Sequence, residues 1–344
     1  MNLPDLTPVR DLIEAFRRSK AMFTAVSLGI FDHLHEAPAT AAQLAATIHA
    51  NPDALERLLD ANAALGFLRK TGGVYANEPI AETYLINSSP HTLRGYIRYS
   101  DEALYPAWSH LDDAVREGTH RWTQTFGLQG DEIFSHFFRT EEAMRDFLRG
   151  MHGFGLPTSS KVVAAFDLSR FRRLVDLGSA TGHLVIAACE RYPGLQGTVF
   201  DLPRAAAIAR EFAAQSPARD RIEVVAGDFF ADPLPPADLY SLGQILHDWN
   251  EPKIHRLLRK IFDSLPEGGA LLIAEKLLNE DGVGPVTANM QSLNMLIVTE
   301  GKERSLDGYR HLLQEAGFTR VSGVRTGAYL DAVLAEKTGG AVLS

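Results

Sequence analysis

Apolar residues recur at helical spacing through residues 1–36, at Leu12, Ile13, Phe16, Ala21, Met22, Ala25 and Val26, with Gly29 as a break. Phe16, Met22, Phe23, Leu28, Ile30 and Phe31 make the stretch apolar on more than one side. That is more surface than one small domain covers, and it predicts an intertwined helical interface with a second copy. Residues 38–79 change rhythm. Thr40, with Gln43 three positions on, forms a capping-box pattern that opens a helix over Ala41–Ile48. Asn51-Pro52-Asp53 opens a second helix ending near Gly66. Phe67–Lys70, Thr71-Gly72-Gly73 and Val74–Ala76 then read as strand, turn and strand. This order is that of a winged helix.

Residues 80–165 read as mostly helical. Tyr96, Tyr99, Tyr105, Trp108, Trp122, Phe126, Phe134, Phe137, Phe138, Phe147 and Phe154 are concentrated there. Such aromatics belong to a core, or some of them line an apolar substrate cavity together with Met144 and Met151. From residue 170 onward strands and helices alternate. Strands are predicted at 173–177, 197–201, 222–226, 237–242 and 270–275, and Thr319–Val324 and Tyr329–Ala335 read as a late antiparallel pair. The pattern predicts an α/β fold with a mostly parallel, Rossmann-like sheet.

The chemistry begins at Asp176-Leu177-Gly178-Ser179-Ala180-Thr181-Gly182, a buried strand running into a glycine turn and a helix start. Asp201 ends the next strand, 23 residues beyond Gly178, where a ribose-binding acid ends the second strand of a nucleotide-binding unit. Ala180 and His183 occupy the second and third glycine positions of the dinucleotide fingerprint. A turn of this kind with a ribose acid and no pyrophosphate cradle suits S-adenosylmethionine. Asp228, after the third strand, is placed to accept from an adenine amino group, with Phe229 packing on the ring; the alternative is an ordinary acidic turn. His247 follows the fourth strand on the side where open α/β sheets bind ligands, as a base or as a capping or core histidine. Glu275 ends the fifth strand, and Glu303 lies in a charged Gly-Lys-Glu-Arg stretch. If both meet His247 they orient the imidazole and stabilise its charged form. No His, Asp and Glu group has metal spacing, so no metal is expected.

Composition narrows the classes. The 344 residues are 45% hydrophobic with a net charge of −9, enough for two domains and a sizeable core. That charge argues against nucleic acid or an anionic membrane as main partner. The second helix of the winged unit carries Asp53, Glu56 and Asp60 against a single Arg57, which is costly beside phosphates. A winged-helix ligand sensor that binds DNA is the rival from another class. Cys189 is the only cysteine, and apolar stretches are interrupted well short of ~20 residues. A reducing cytoplasm is the expected location, with no signal peptide in view.

Several segments carry a resemblance that runs nearly end to end. They include Leu28–Asp32, Trp108–Gly118, Ala165–Ser169, Gly227–Phe230, Leu246-His247-Asp248-Trp249, Ser292–Leu296, Thr299–Arg304 and Leu330–Ala335. Together they resemble the S-adenosylmethionine-dependent small-molecule O-methyltransferases with an N-terminal winged-helix dimerisation domain, the acetylserotonin O-methyltransferase-like family. The resemblance implies a winged-helix dimerisation domain over 1–98, then linker helices and a class I methyltransferase domain over 99–344. Its seven-stranded sheet is mostly parallel with the last strand antiparallel. It implies a homodimer acting on a hydroxyl of a small aromatic acceptor, phenol or hydroxyindole, and yielding S-adenosylhomocysteine. By the resemblance His247 is the general base, flanked by Glu275 and Glu303. Gly178, Asp201, Asp228, Phe229 and Gln244 match cofactor-contacting positions. Asn294 and Met295 match positions lining the aromatic site, with Tyr105, Met151 and Phe154 as further lining candidates. Two departures stand out. Ser179-Ala180 replace a glycine, adding side chains beside the methionine part of the cofactor. Gln244 stands where the acetylserotonin enzymes have a cation that helps hold substrate. The nearest rival chemistry on the same fold is hydroxylation or decarboxylation with the same cofactor.

Overall fold

The computed structural model describes residues 3–127 and 140–338, which fall into two compact units, Met1–Tyr105 and Pro106–Ser344. The aromatic positions Phe134, Phe137 and Phe138 lie outside the described residues. The first unit begins with α1 (Thr7–Ser27) and α2 (Ile30–Glu36). Gly29 separates them at φ 68°, a left-handed conformation that glycine adopts without the Cβ penalty. A short strand β1 (Ala39–Thr40) leads into α3 (Ala41–Ile48), and α4 (Pro52–Ala64) follows. Both helix starts are built as their sequences predict. Thr40 Oγ1 accepts from Gln43 N at 3.3 Å and Gln43 Oε1 accepts from Thr40 N at 2.8 Å. Asn51 Oδ1 accepts from Ala54 N at 3.0 Å.

The wing is β2 (Leu68–Thr71) and β3 (Val74–Asn77), turning through Gly72-Gly73, and β1 pairs with β3 on its other side. Val26, Phe31, Leu44, Leu55, Leu59 and Tyr75 lie in the core of this unit. The acidic face of α4 is met from within the chain. Lys70 of the wing donates to Asp60 at 2.7 Å and to Glu56 at 3.0 Å, and Arg57 pairs with Asp53 at 2.6 Å. Two short helices, α5 (Pro79–Tyr84) and α6 (Arg94–Tyr99), complete the unit. Along α1, Val9, Ile13 and Phe16 stay 51–62% exposed, an apolar stripe at helical spacing that this chain does not cover by itself.

Three short helices, α7 (Tyr105–Trp108), α8 (Leu111–Glu117) and α9 (Trp122–Phe126), and the long α10 (Glu141–Ala164) precede the sheet. Its strands are β4 (Arg173–Leu177), β5 (Gln196–Asp201), β6 (Ile222–Ala226), β7 (Leu239–Gly243), β8 (Ala270–Glu275), β11 (Arg320–Val324) and β12 (Asp331–Glu336). Between β8 and β11 the chain forms two-residue strands, β9 (Leu277–Leu278) and β10 (Arg304–Ser305), which pair in parallel. Helices α11 (His183–Arg191), α12 (Pro203–Gln215), α13 (Glu251–Ser264), α14 (Val286–Val298) and α15 (Leu306–Ala316) fill the intervals. The spatial order is β11-β12-β8-β7-β4-β5-β6. Only β12 runs antiparallel to its neighbours β8 and β11.

Both faces of this sheet are covered, which is why its strands are nearly continuous apolar runs. Val175, Leu177, Leu242 and Ile273 share one core with Leu257 and Ile261 of α13. Leu174, Val199 and Leu272 share the other with Val185 and Cys189 of α11 and with Val162 of α10. Neighbours such as Leu174 and Val175 thus serve opposite faces, as period-two geometry requires. Three strand starts fall later than the sequence pattern suggests, β11 by one residue and β7 and β12 by two. Asp238 ties β7 to β4 by accepting from the amides of Arg172 and Arg173. Asp331 accepts from Thr326 N at 3.1 Å, so residues 329–330 still belong to the turn.

Replacing Thr40 by alanine removes one side of the capping box. The expected outcome is a loss of about 1 kcal/mol from the N-terminal unit, seen as a lower urea midpoint for its transition. An unchanged midpoint shows that the box contributes no net stability.

Candidate active site

Three chain segments end at the carboxyl edge of the sheet and put charged groups there. After β7 the backbone turns at Gln244, with φ 55°, and winds through a single helical turn over Leu246–Asp248. Glu275 is the last residue of β8. The β9–β10 pairing holds Arg304 beside Leu277, and so delivers Glu303 to the same place. His247 Nδ1 lies 2.7 Å from Glu303 Oε1 and 3.2 Å from Glu275 Oε2. Its other nitrogen, Nε2, lies 3.6 Å from Asp248 Oδ1. Glu275 Oε1 also accepts from the amides of Ile245 and Leu246 at 3.0 Å, so one carboxylate fixes both the ring and the turn that carries it. His247, Glu275 and Glu303 are 1–3% exposed.

Burial disfavours charge on each of these groups, and their mutual attraction opposes it. For His247 burial pulls down, but Glu275, Glu303 and Asp248 outweigh it and raise the pKa to about 10. Burial raises Glu275 to about 8 against the pull of the imidazolium, and Asp248 to about 6. His247 and Glu275 therefore titrate as a coupled pair. An Nδ1–H donated to Glu303 leaves Nε2 as the nitrogen able to take a proton from a ligand. The ligand atoms of His247, Glu275 and Glu303 lie within 4.8 Å of one another, close enough for a divalent ion. Of the two ring nitrogens, Nδ1 is already engaged with Glu303.

A second cluster forms around the glycine turn. Gly178 has φ 72°, and a Cβ there would lie 2.4 Å from Ile245 Cδ1 and 3.3 Å from the Phe229 ring. The positive φ favours glycine, any added Cβ would displace the Ile245 side chain, and Phe229 and Gly178 are neighbours. Ala180 N donates to Asp201 Oδ2 at 2.7 Å, and Leu202 N to Oδ1 at 2.6 Å. Burial raises Asp201 to about 6 despite those bonds. Ser179, one of the two departures from the family pattern, turns inward, donating to Asp176 Oδ2 at 2.5 Å, with Ser241 on the other oxygen at 2.6 Å. Its hydroxyl is committed there. Asp228 closes its own turn, Oδ1 accepting from Phe230 N at 2.7 Å. Gln244 holds its place through a backbone bond to Ala274 O at 2.9 Å.

Of the expected lining residues, Asn294 and Met295 lie on α14. Asn294 Oδ1 accepts from Trp108 Nε1 at 2.9 Å, and Met295 is buried. Phe154 stacks on Tyr329, with centroids 5.2 Å apart and planes at 24°, and Met151 lies three residues earlier on α10. Met144 belongs instead to a core with Leu148, Ala205 and Ile208, because α10 turns it onto α12 rather than toward a cavity. Tyr105 closes the N-terminal unit, where the Lys20 ammonium sits 5.5 Å from its ring.

This is the site layout of an α/β-sheet transferase: a glycine turn with a strand-end acid, beside an anchored histidine at the same edge. Residues 108–319 match the family model for an O-methyltransferase domain, and residues 10–87 match that for an O-methyltransferase dimerisation domain. The bovine (Bos taurus) acetylserotonin O-methyltransferase is 40% identical over 96% of this chain and 97% of its own length. A human protein described as a probable bifunctional dTTP/UTP pyrophosphatase/methyltransferase is 42% identical over 97% of this chain, which spans only 54% of that protein. The crystal structure of human N-acetylserotonin methyltransferase in complex with SAM superposes with a TM-score of 0.91, at 36% identity, covering 98% of this chain and all of that one. The chain belongs to the O-methyltransferase family with an N-terminal dimerisation domain.

Some contributors escape a reading of the sequence. Asp248 was legible as part of the His-Asp-Trp segment but not as a third carboxylate near the ring. Gly301 is fixed by packing: a Cβ there would lie 2.2 Å from His247 O. Its only signal is its place in Gly-Lys-Glu-Arg. Gly301→Ala therefore forces the His247 turn to move. The expected result is destabilisation of about 1–3 kcal/mol with a fall in methyl-transfer rate, checked by thermal unfolding and steady-state kinetics. Wild-type values in both would show that the turn has room.

Proposed function

We propose that this protein transfers a methyl group from S-adenosylmethionine to a hydroxyl of a small aromatic acceptor, with His247 as general base. The observation that carries this reading is the anchoring of Nδ1 on Glu303 at 2.7 Å, which leaves Nε2 as the proton acceptor. Family membership supports the reaction class. The Gly178 turn, held at a positive φ that favours glycine, and the half-buried Asp201 carboxylate at a strand end are suited to the backbone approach and ribose of that cofactor. When bound, the sulfonium supplies an electrophilic methyl.

The chain's own residues then deal with the proton. A phenol has a pKa of ~10, so at neutral pH its oxygen keeps its proton and is a poor nucleophile. An imidazole raised to about 10 matches it, so transfer from the hydroxyl to Nε2 runs nearly level. Glu303 and Glu275 hold the ring in one orientation and stabilise the imidazolium that forms. The reading needs no metal, since the acid–base work falls to these side chains.

Within the N-terminal unit, the uncovered stripe of α1 and the match to a dimerisation domain support a homodimer. The acidic face of α4, already engaged by Lys70 and Arg57, supports a role other than DNA binding. Light scattering at micromolar concentration is expected to give twice the 37.8 kDa chain mass; the single-chain mass contradicts the dimer.

The test of the reaction is mass spectrometry of products from a panel of phenols and hydroxyindoles, followed by kinetics on the best acceptor. His247→Ala is expected to lower kcat roughly 10²–10⁴-fold while S-adenosylhomocysteine affinity stays near wild type. The wild-type rate should survive EDTA. In the wild type kcat/KM should rise with pH from neutral toward about 10, as the ring loses the proton that the carboxylates favour, and on an acceptor whose own hydroxyl does not ionise in that range this slope should vanish in the variant. Near-wild-type kcat for His247→Ala on a weakly acidic acceptor would sink the base assignment.

A further inference from the structure

Three lysine or arginine side chains are buried among the described residues: Arg121, Lys276 and Arg304. Two of them have acidic partners. Arg121 pairs with Glu117 at 2.8 Å, and Arg304 lies 3.9 Å from Glu251. Lys276, 6% exposed, is the exception. Its Nζ donates to the neutral Gln291 Oε1 at 3.2 Å and lies 3.8 Å from the Tyr329 ring centroid, and among the described residues no carboxylate lies within 4.0 Å of it. An ammonium out of water is costly unless an anion meets it. One acceptor and one aromatic face leave much of its donor capacity unused. Burial draws its pKa down to about 8, against the pull of Glu303 and Glu275, so the charged form still prevails at neutral pH.

The surroundings of Lys276 are those expected of an acceptor site. It follows Glu275 directly, just beyond the carboxyl end of β8. Tyr329 stacks on Phe154 of α10, giving a continuous row of ammonium, phenol and phenyl. Gln291 stands three and four positions before Asn294 and Met295, so all three share one face of α14. The cation is therefore presented between aromatic faces and the α14 face that carries Asn294.

We infer that Lys276 is a specificity-determining residue that receives a carboxylate on the acceptor, so the substrate class is a hydroxylated aromatic acid. This rests on the reading of the chain as a methyltransferase for aromatic hydroxyls. The acid group sits at Nζ, where it replaces lost water and completes the ion pair that the chain leaves open, while the hydroxyl is methylated at the other side of the ring system. The interaction acts on binding, so it appears in KM more than in kcat.

The experiment compares acids with their uncharged amides: 5-hydroxyindole-3-acetate against 5-hydroxyindole-3-acetamide, and 4-hydroxyphenylacetate against its amide. Wild-type protein is expected to favour at least one acid about ten- to hundredfold in kcat/KM, through KM. Lys276→Met should erase that preference while leaving amide turnover near wild type, and Lys276→Arg should restore part of it. Equal use of acid and amide by wild type, or an equal loss for both in Lys276→Met, overturns the assignment and leaves Lys276 as a structural cation. If neither member of any pair is methylated, the function proposed above fails. Calorimetry on the S-adenosylhomocysteine-loaded protein then decides Lys276 separately. Acid-selective binding lost in Lys276→Met supports it, and its absence overturns it.

Discussion

An imidazole enclosed by carboxylates in a region closed to water is the constraint on which the rest of this protein depends. No one group at the carboxyl edge of the sheet is tolerable alone. Glu275 would be an unpaired charge without His247, and His247 would be a neutral ring in no fixed orientation without Glu303. Glu275 also receives the amides of Ile245 and Leu246, so the charge that steadies the ring also satisfies the turn. Even the absence of a side chain at Gly301 serves this arrangement, since the backbone of His247 lies against it. Chemistry and local folding are therefore one problem here.

The same logic repeats along the sheet. Asp176 lies within β4, with a hydroxyl on each oxygen, and Asp201 ends β5 with two amides. Both are raised to about 6, burial being the dominant cause. Apolar strands supply a dry floor, and their ends are where polar groups emerge with backbone N–H groups in reach. On the function proposed above, a cofactor with a ribose and a charged sulfur would meet groups already oriented by those bonds. Such preorganisation costs nothing at the moment of reaction.

Much of this was legible in the sequence, because the parallel strands are buried on both faces and so read as apolar runs. Helix caps at Thr40 and Asn51 were equally plain, being local interactions. Position at a strand end made Asp201, His247 and Glu275 candidates, but only the pairing of β9 with β10 shows how Glu303 arrives. Two-residue strands carry no periodicity, so that link could not be read. Ser179 reads as an intrusion into the glycine turn, and nothing local says that its hydroxyl turns inward onto Asp176. Met144 and Met151 are chemically identical and one helix apart in no respect; only the packing of α12 assigns Met144 to a core. Lys276 is the extreme case. It reads as a surface charge, and its isolation exists only because α14 and the Tyr329 turn close over it.

The place of β12 has a consequence for biogenesis. It separates β8 from β11, yet among the described residues it is the last of the sheet's strands in chain order. During synthesis β8 therefore leaves the ribosome with one hydrogen-bonding edge open, and it stays so until β12 follows, from residue 275 to residue 331. An apolar strand with a bare edge invites pairing with other chains. The strand that keeps Glu275 in register is thus also one that nascent-chain chaperones have reason to shield, as is β4 until β7 arrives, and the site acquires its final form only when translation of the sheet is complete.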